Sequence, residues 1–312
     1  MLRVLVTGAV GFVGCHLARA LSARGDEVHG FGLGERPAEA PLAGWHEGDI
    51  LDEDALAAAF AIARPGAVIH LAGQSSAAVS FERPVETYRV NAIGTWTVLN
   101  AVRRQAPAAR VVVIGSGEVY GPQAEGSRVA EGASFRPVSP YALSKAAADA
   151  LSDAFARRYG LELIRTRSFG HTGPGQSPLF AIPSFARQIA QIEAGRAVPV
   201  LRVGDLEVTR DITDVGDVVA AYVALLEQGG PGRVYNICRG EGLRLSGLLS
   251  SLCARARTSV RVEVDPARMR PADLPWLVGD PSAVHRDTGW SAKTPIEKTL
   301  EDVLEYWRNK SV

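Results

Sequence analysis

Residues 2–21 read LRVLVTGAVGFVGCHLARAL, and no other stretch restricts the fold as much. A Val/Leu run of strand type ends at Gly8. Past Gly11 the apolar residues Val13, Leu17, Ala20 and Leu21 recur at helical spacing until Arg24-Gly25. Gly8, Gly11 and Gly14 therefore stand on a strand-to-helix turn that opens a βαβ unit. Such a turn lets backbone approach a pyrophosphate with no Cβ in the way, and aims free N–H groups and the positive helix end at the anion. Gly14 falls inside the helix, where a side chain would push it off the strand. An ordinary tight βα turn would also use glycines, so the remaining segments must decide.

They alternate. EVHGFGL, WHEGDI, AVIHLAG, RVVVIGS and LELIRTRS read as further strands. DEDALAAAFAIA reads as a helix with acidic residues at its start, 84–104 as one long helix and 141–159 as another. Apolar strands alternating with helices predict an α/β fold, a Rossmann-type doubly wound parallel sheet with ligands at the carboxyl ends of its strands. From about Ser168 the pattern changes to loop-rich HTGPGQSP and RMRPADLPW, with helices such as PSFARQIAQIEAG and TPIEKTLEDVLEYWRN. The expected organisation is a dinucleotide-binding domain over 1–168, rejoined by about 209–239, and a smaller, discontinuous substrate-binding lobe within 169–312.

Bulk properties exclude several classes. Lys plus Arg equals Asp plus Glu at 34 each, which offers no electrostatic handle for nucleic acid or a membrane surface. The apolar share of 46% supplies a core, yet no apolar run is long enough to span a bilayer. Glycines break the apolar N-terminus, unlike a signal peptide. Cys15, Cys238 and Cys253 lack metal-ligand spacing, so no metal site is expected. Their odd number suits a reducing cytoplasm.

Chemistry concentrates in two segments. SPYALSK places Tyr141 and Lys145 four apart on one helix face, where an ammonium is expected to lower the phenol pKa and ready it for proton transfer. IGSGEVYG places Ser116 just past a strand end, able to donate to a substrate oxygen, with Glu118 as a base or a sugar-hydroxyl ligand. Each residue alone also reads as an ordinary surface or turn residue.

Taken in order, TGAVGFVG, GDILD, LAGQSS, VNAIGT, SPYALSK and RDITDV with Asp217 resemble the extended short-chain dehydrogenases/reductases, the NAD-dependent epimerase/dehydratase group. The glycine spacing is that group's T-G-x-x-G-x-x-G. The resemblance implies a cofactor site of Gly8, Gly11, Phe12, Val13, Gly14, Asp49, Ile50, Leu71, Ala72, Gly73, Tyr141 and Lys145, and a structural Asn91. It implies catalysis by Ser116, Tyr141, Lys145 and Glu118. For the substrate it implies Ser75, Ser76, Glu118, His171, Arg187, Arg210 and Arg270, the arginines suiting bidentate phosphate contact. The second strand ends FGLGER with no acid directly at its end, and Arg36 is a nearby cation, so NADP(H) is expected ahead of NAD(H).

Within the group, LAGQSSAAVSFERP resembles GDP-mannose 4,6-dehydratases. FGHTGPGQS, VGDLEVTRDITDV, VYNICRG and LPWLVGD resemble the reductases of GDP-4-keto-6-deoxy-mannose, over almost the whole chain. A dehydratase needs an acid/base group beyond the Tyr-Lys pair, and its Ser/Thr-x-Glu motif often has Asp or Ser in the middle. Here that residue is Gly117. Reduction of a GDP-4-keto-6-deoxy-sugar to GDP-D-rhamnose is therefore expected first, dehydration of GDP-mannose second. UDP- or dTDP-sugar epimerases follow, as do non-catalytic NADP-binding redox sensors, which typically lose the Tyr-Lys pair. Gly170 stands where the group usually has Asn against the substrate nucleotide. The resemblance also implies a cytoplasmic homodimer formed through a four-helix bundle. Val98, Leu99 and Val102 read as contacts of that bundle or as sheet-facing residues.

Overall fold

A computed structural model describes residues 1–36, 40–269 and 274–310. Seven strands form one parallel sheet: β1 (Arg3–Thr7), β2 (Glu27–Gly32), β3 (Gly44–Glu47), β4 (Ala67–His70), β5 (Arg110–Ser116), β6 (Leu163–Ser168) and β7 (Val234–Ile237). Their order is β7-β6-β5-β4-β1-β2-β3, with every pairing parallel. The order reverses between β1 and β4, where a doubly wound sheet opens its ligand crevice.

Both faces are covered, as the continuous apolar strands require. Val4 and Val6 of β1 point to one side and join α1 (Phe12–Ala23) and α5 (Val215–Gln228). Leu5 points to the other and joins α2 (Glu53–Ala63), α3 (Gly94–Gln105) and α4 (Pro140–Tyr159). The acidic start of α2 acts as read: Asp52 accepts from the N–H groups of Asp54 and Ala55. A separate core joins helices Ala181–Glu193, Leu245–Ala254 and Ile296–Lys310 around strand Val200–Val203. Residues 215–237 return to the first core, as does the stretch with Val284 and Trp290, within the span expected for the lobe.

The helix expected over 84–104 forms, but with a π-helical turn in its middle. Pro84–Tyr88 is α-helical, Arg89–Ile93 forms a π-helical turn, and α3 begins at Gly94. A π turn re-aims the residues it holds, and here it holds Asn91. Val98, Leu99 and Val102 are fully buried against the sheet, so they face inward and not toward a partner.

Candidate active site

The three glycines of the opening turn have three different reasons. Gly8 has φ +73°, and a Cβ there would lie 2.7 Å from Ala72 N, at the end of β4. At Gly14 a Cβ would lie 2.4 Å from Gly8 O, so α1 could not sit this close to the turn. At Gly11 only Gly8 O comes near, at 3.2 Å, and the residue is exposed. Gly11 is the N-cap of α1, with no side-chain cap and no acid in the first turn. The N–H groups of the first turn, carried by Phe12, Val13 and Gly14, are thus left for an anion. This cradle fits a dinucleotide pyrophosphate.

Leu71, Ala72 and Gly73 continue from β4 beside it. A Cβ at Gly73 would lie 2.8 Å from Asn91 Oδ1 and 3.4 Å from Lys145 Nζ, so this backbone passes directly under the lysine. Asp49 stays exposed, its Oδ1 accepting from Leu51 N–H. The Ile50 side chain is buried in the core, its Cδ1 filling the space where Gly94 lacks a Cβ. Arg36 is exposed and donates to Leu42 O at 2.6 Å.

The Tyr-Lys helix starts where the sequence sets it. Ser139 caps α4 by accepting from Ala142 N–H at 3.0 Å, Pro140 occupies the first turn, and Gly160 (φ +65°) ends it. Tyr141 is buried, and the Ser116 hydroxyl and the Glu118 carboxylate both act on its phenol. Its pKa does not fall as expected. Burial first, then Glu118, push it up, outweighing the downward pull of the Ser116 hydroxyl, while Lys145 Nζ donates to Ile114 O at 3.1 Å. The phenol is therefore protonated across the neutral range and is a proton donor. Burial lowers the Lys145 ammonium to about 8. That charge is present below pH 8 and lost above it. A free-enzyme kcat/KM profile that holds to about pH 8 and then declines is expected; an unchanged value through pH 10 would contradict it.

Ser116 also accepts from Glu118 N–H, 3.2 Å away. Gly117 between them has no room for a side chain, because a Cβ would lie 2.9 Å from the Phe169 ring. Gly170 is similarly closed, its Cβ position 2.8 Å from Asp211 O.

The substrate residues divide. Ser75 is exposed, whereas Ser76 caps helix Ala77–Glu82 through Val79 N–H. His171 lies by the cofactor turn, its ring stacked on Phe12 with centroids 6.2 Å apart and Nδ1 donating to Phe169 O. Arg210 donates to the carbonyls of Thr209 and Leu274. Arg187 instead lies over the Trp307 ring, 5.8 Å from its centroid, on the lobe's own C-terminal helix. Arg270 falls outside the described residues. The late signature is largely scaffold: Asp211 accepts from the N–H groups of Arg239, Gly240 and Gly279, and Asp217 from those of Lys293 and Thr294.

Asn91 is the structural residue the motif implies, but its partners beneath the pair are not legible in the sequence. Asn91 Oδ1 accepts from Gln74 N–H at 2.8 Å, and its Nδ2 donates to Gln74 O and to Ser144 Oγ. Ser144 donates to Tyr141 O. The π turn that aims Asn91 has no periodicity signal in the sequence.

A family model described as GDP-mannose 4,6 dehydratase matches residues 5–303. The GDP-6-deoxy-D-mannose reductase of Pseudomonas aeruginosa is 36% identical over 99% of this chain and 98% of its own length. GDP-mannose 4,6 dehydratase 1 of Arabidopsis thaliana is 29% identical over 96% and 88%. Among solved structures, RMD from Pseudomonas aeruginosa complexed with NADPH superposes with a TM-score of 0.86 at 34% identity, covering 99% of this chain and 100% of that one. UDP-glucose 4-epimerase of Thermus thermophilus in complex with NAD gives 0.87 at 32% identity over 98% and 99%. A glycine cradle, a buried Tyr-Lys helix and matches spanning the whole sheet and lobe thus agree, and the chain belongs to the GDP-mannose 4,6 dehydratase family of extended short-chain dehydrogenases/reductases.

Proposed function

We propose that this chain reduces the C4 carbonyl of GDP-4-keto-6-deoxy-D-mannose to give GDP-D-rhamnose, with NADPH as the preferred cofactor and NADH the lesser one. The observation that carries this reading is the protonated Tyr141 phenol beside Ser116, with no acid or base at residue 117. The likeness to a GDP-6-deoxy-D-mannose reductase and to a structure complexed with NADPH supports it. When bound, the reduced nicotinamide supplies a hydride. The chain supplies the rest. The turn at Gly11 and the first N–H groups of α1 hold the pyrophosphate, and Ser116 donates to the carbonyl oxygen. Tyr141 gives that oxygen its proton as charge develops, and Lys145 favours the phenolate left behind. Arg210 serves the nucleotide diphosphate. Glu118 beside the phenol supports the second reading, dehydration of GDP-mannose. With deuterium carried as the transferable hydride of NADPH, the reductase reading expects one deuterium at C4 of the product by NMR; a dehydratase, which returns the substrate's own C4 hydride to C6, would convert GDP-mannose to a ketosugar with no deuterium from the cofactor.

Cys15, Cys238 and Cys253 form no disulfide, which suits a reducing cytoplasm. Among the described residues no helix is long and apolar enough to cross a membrane. The homodimer is proposed through the outward faces of α3, α4 and the turn before α3, where Ile93, Trp96 and Leu143 are 48%, 36% and 53% exposed. Light scattering at micromolar concentration is expected to give a dimer, and Trp96→Glu with Leu143→Glu a monomer. A monomeric parent protein would contradict this.

A further inference from the structure

One buried histidine has no part in the chemistry above. His70 ends β4 opposite Thr7 of β1, in register, and is 3% exposed. Its ring bridges two threonines, with Nδ1 2.7 Å from Thr7 Oγ1 and Nε2 3.1 Å from Thr95 Oγ1. Thr7 Oγ1 accepts from Ala72 N–H at 3.3 Å, and Thr95 Oγ1 lies 2.6 Å from the carbonyl oxygen of Asn91.

Counting protons fixes the direction of this chain. A carbonyl only accepts, so the single hydroxyl proton of Thr95 goes to Asn91 O. At the His70 contact Thr95 must then accept, and Nε2 carries the hydrogen. Burial, then the Lys145 charge, hold the imidazole neutral, with its pKa pushed down to about 3. Nδ1 is therefore bare and takes the Thr7 proton. Donation runs one way, from Thr7 through His70 and Thr95 to Asn91 O.

The chain ends on the residue that organises the site. Asn91 spans the Gln74 backbone and Ser144, and Ser144 holds the Tyr141 carbonyl. Its backbone lies in the π turn, where the regular helical ladder is interrupted.

We propose that His70, held as the Nε2–H tautomer between Thr7 and Thr95, is a positioning residue that seats Asn91 and thereby sets Tyr141 and Lys145 against the glycine turn. Only the kinetic part of its test rests on the reductase reading.

The tautomer is read by NMR of 15N-histidine protein, the His70 signals being assigned by their loss in His70→Asn. A neutral Nε2–H ring that does not titrate between pH 8 and pH 5 is expected. In Thr95→Val the acceptor at Nε2 is gone, and the ring is expected to switch to Nδ1–H, donating to Thr7. A parent ring that is Nδ1–H, or that titrates in the neutral range, overturns the proposal. In turnover of the ketosugar, Thr95→Val and His70→Asn are each expected to lower kcat about 10- to 100-fold with little change in KM for NADPH. The double variant should be no worse than the poorer single, since both break one chain. His70→Gln, whose amide can donate to Thr95, should recover most of kcat. Additive losses, or a lower melting temperature with kcat unchanged, would overturn the positioning role. A parent enzyme that turns over no ketosugar would sink the reductase reading and leave the NMR result to decide this one.

Discussion

Tyr141→Phe is expected to lower kcat ~10²–10⁴-fold, the range for loss of a positioned general acid. The affinity for NADPH should stay near that of the parent, because the ring that fills the buried site is kept and only the hydroxyl is lost. The donor in question starts protonated: burial and the Glu118 carboxylate hold the proton on the phenol, and the developing alkoxide draws it off. Stopped-flow single turnovers separate this step from product release. A loss below about threefold, outside the range for a general acid, would remove Tyr141 from the chemistry.

Gly11→Val should raise the dissociation constant of NADPH about 100-fold, roughly 2.8 kcal/mol, by placing methyl groups where the pyrophosphate meets the first turn of α1. The fold should survive, because a Cβ at this position meets only Gly8 O, at 3.2 Å. Gly14→Val makes the contrast. Its Cβ would lie 2.4 Å from the same oxygen and 2.7 Å from Ala9 Cα, so that variant should lose stability as well as affinity. Calorimetric titration beside thermal melts distinguishes the two. Unchanged affinity in a folded Gly11→Val protein would mean that the pyrophosphate lies elsewhere.

The contrast between these glycines also shows where sequence reading has its limit. Spacing located the turn, because strand and helix periodicities meet there. It could not tell that Gly8 avoids Ala72, that Gly14 admits α1, and that a Cβ at exposed Gly11 would meet only Gly8 O. Those reasons lie in residues distant along the chain. The Tyr-Lys pair was legible as a motif, and its helix was legible from Ser139, Pro140 and Gly160. Its electrostatics were not. Spacing suggested that Lys145 would lower the phenol pKa, but the depth of burial and the nearness of Glu118 are tertiary facts, and they prevail. The same holds for Ile50, which packs over Gly94, and for Arg187, which lies over Trp307. His70 reads in sequence as one more residue of an apolar strand, and only the two threonines on its flanks give it a direction.

The most direct measurement follows nicotinamide absorbance with two substrates. A reductase is expected to oxidise one NADPH for each GDP-4-keto-6-deoxy-D-mannose, to stop when NADPH is absent, and to leave GDP-mannose untouched. Glu118→Gln should slow it far less than Tyr141→Phe, because reduction of a ketone needs no base at C5. Formation of a ketosugar from GDP-mannose without added reductant, abolished by Glu118→Gln, would contradict the reductase assignment and make the chain a dehydratase working without a side chain at residue 117.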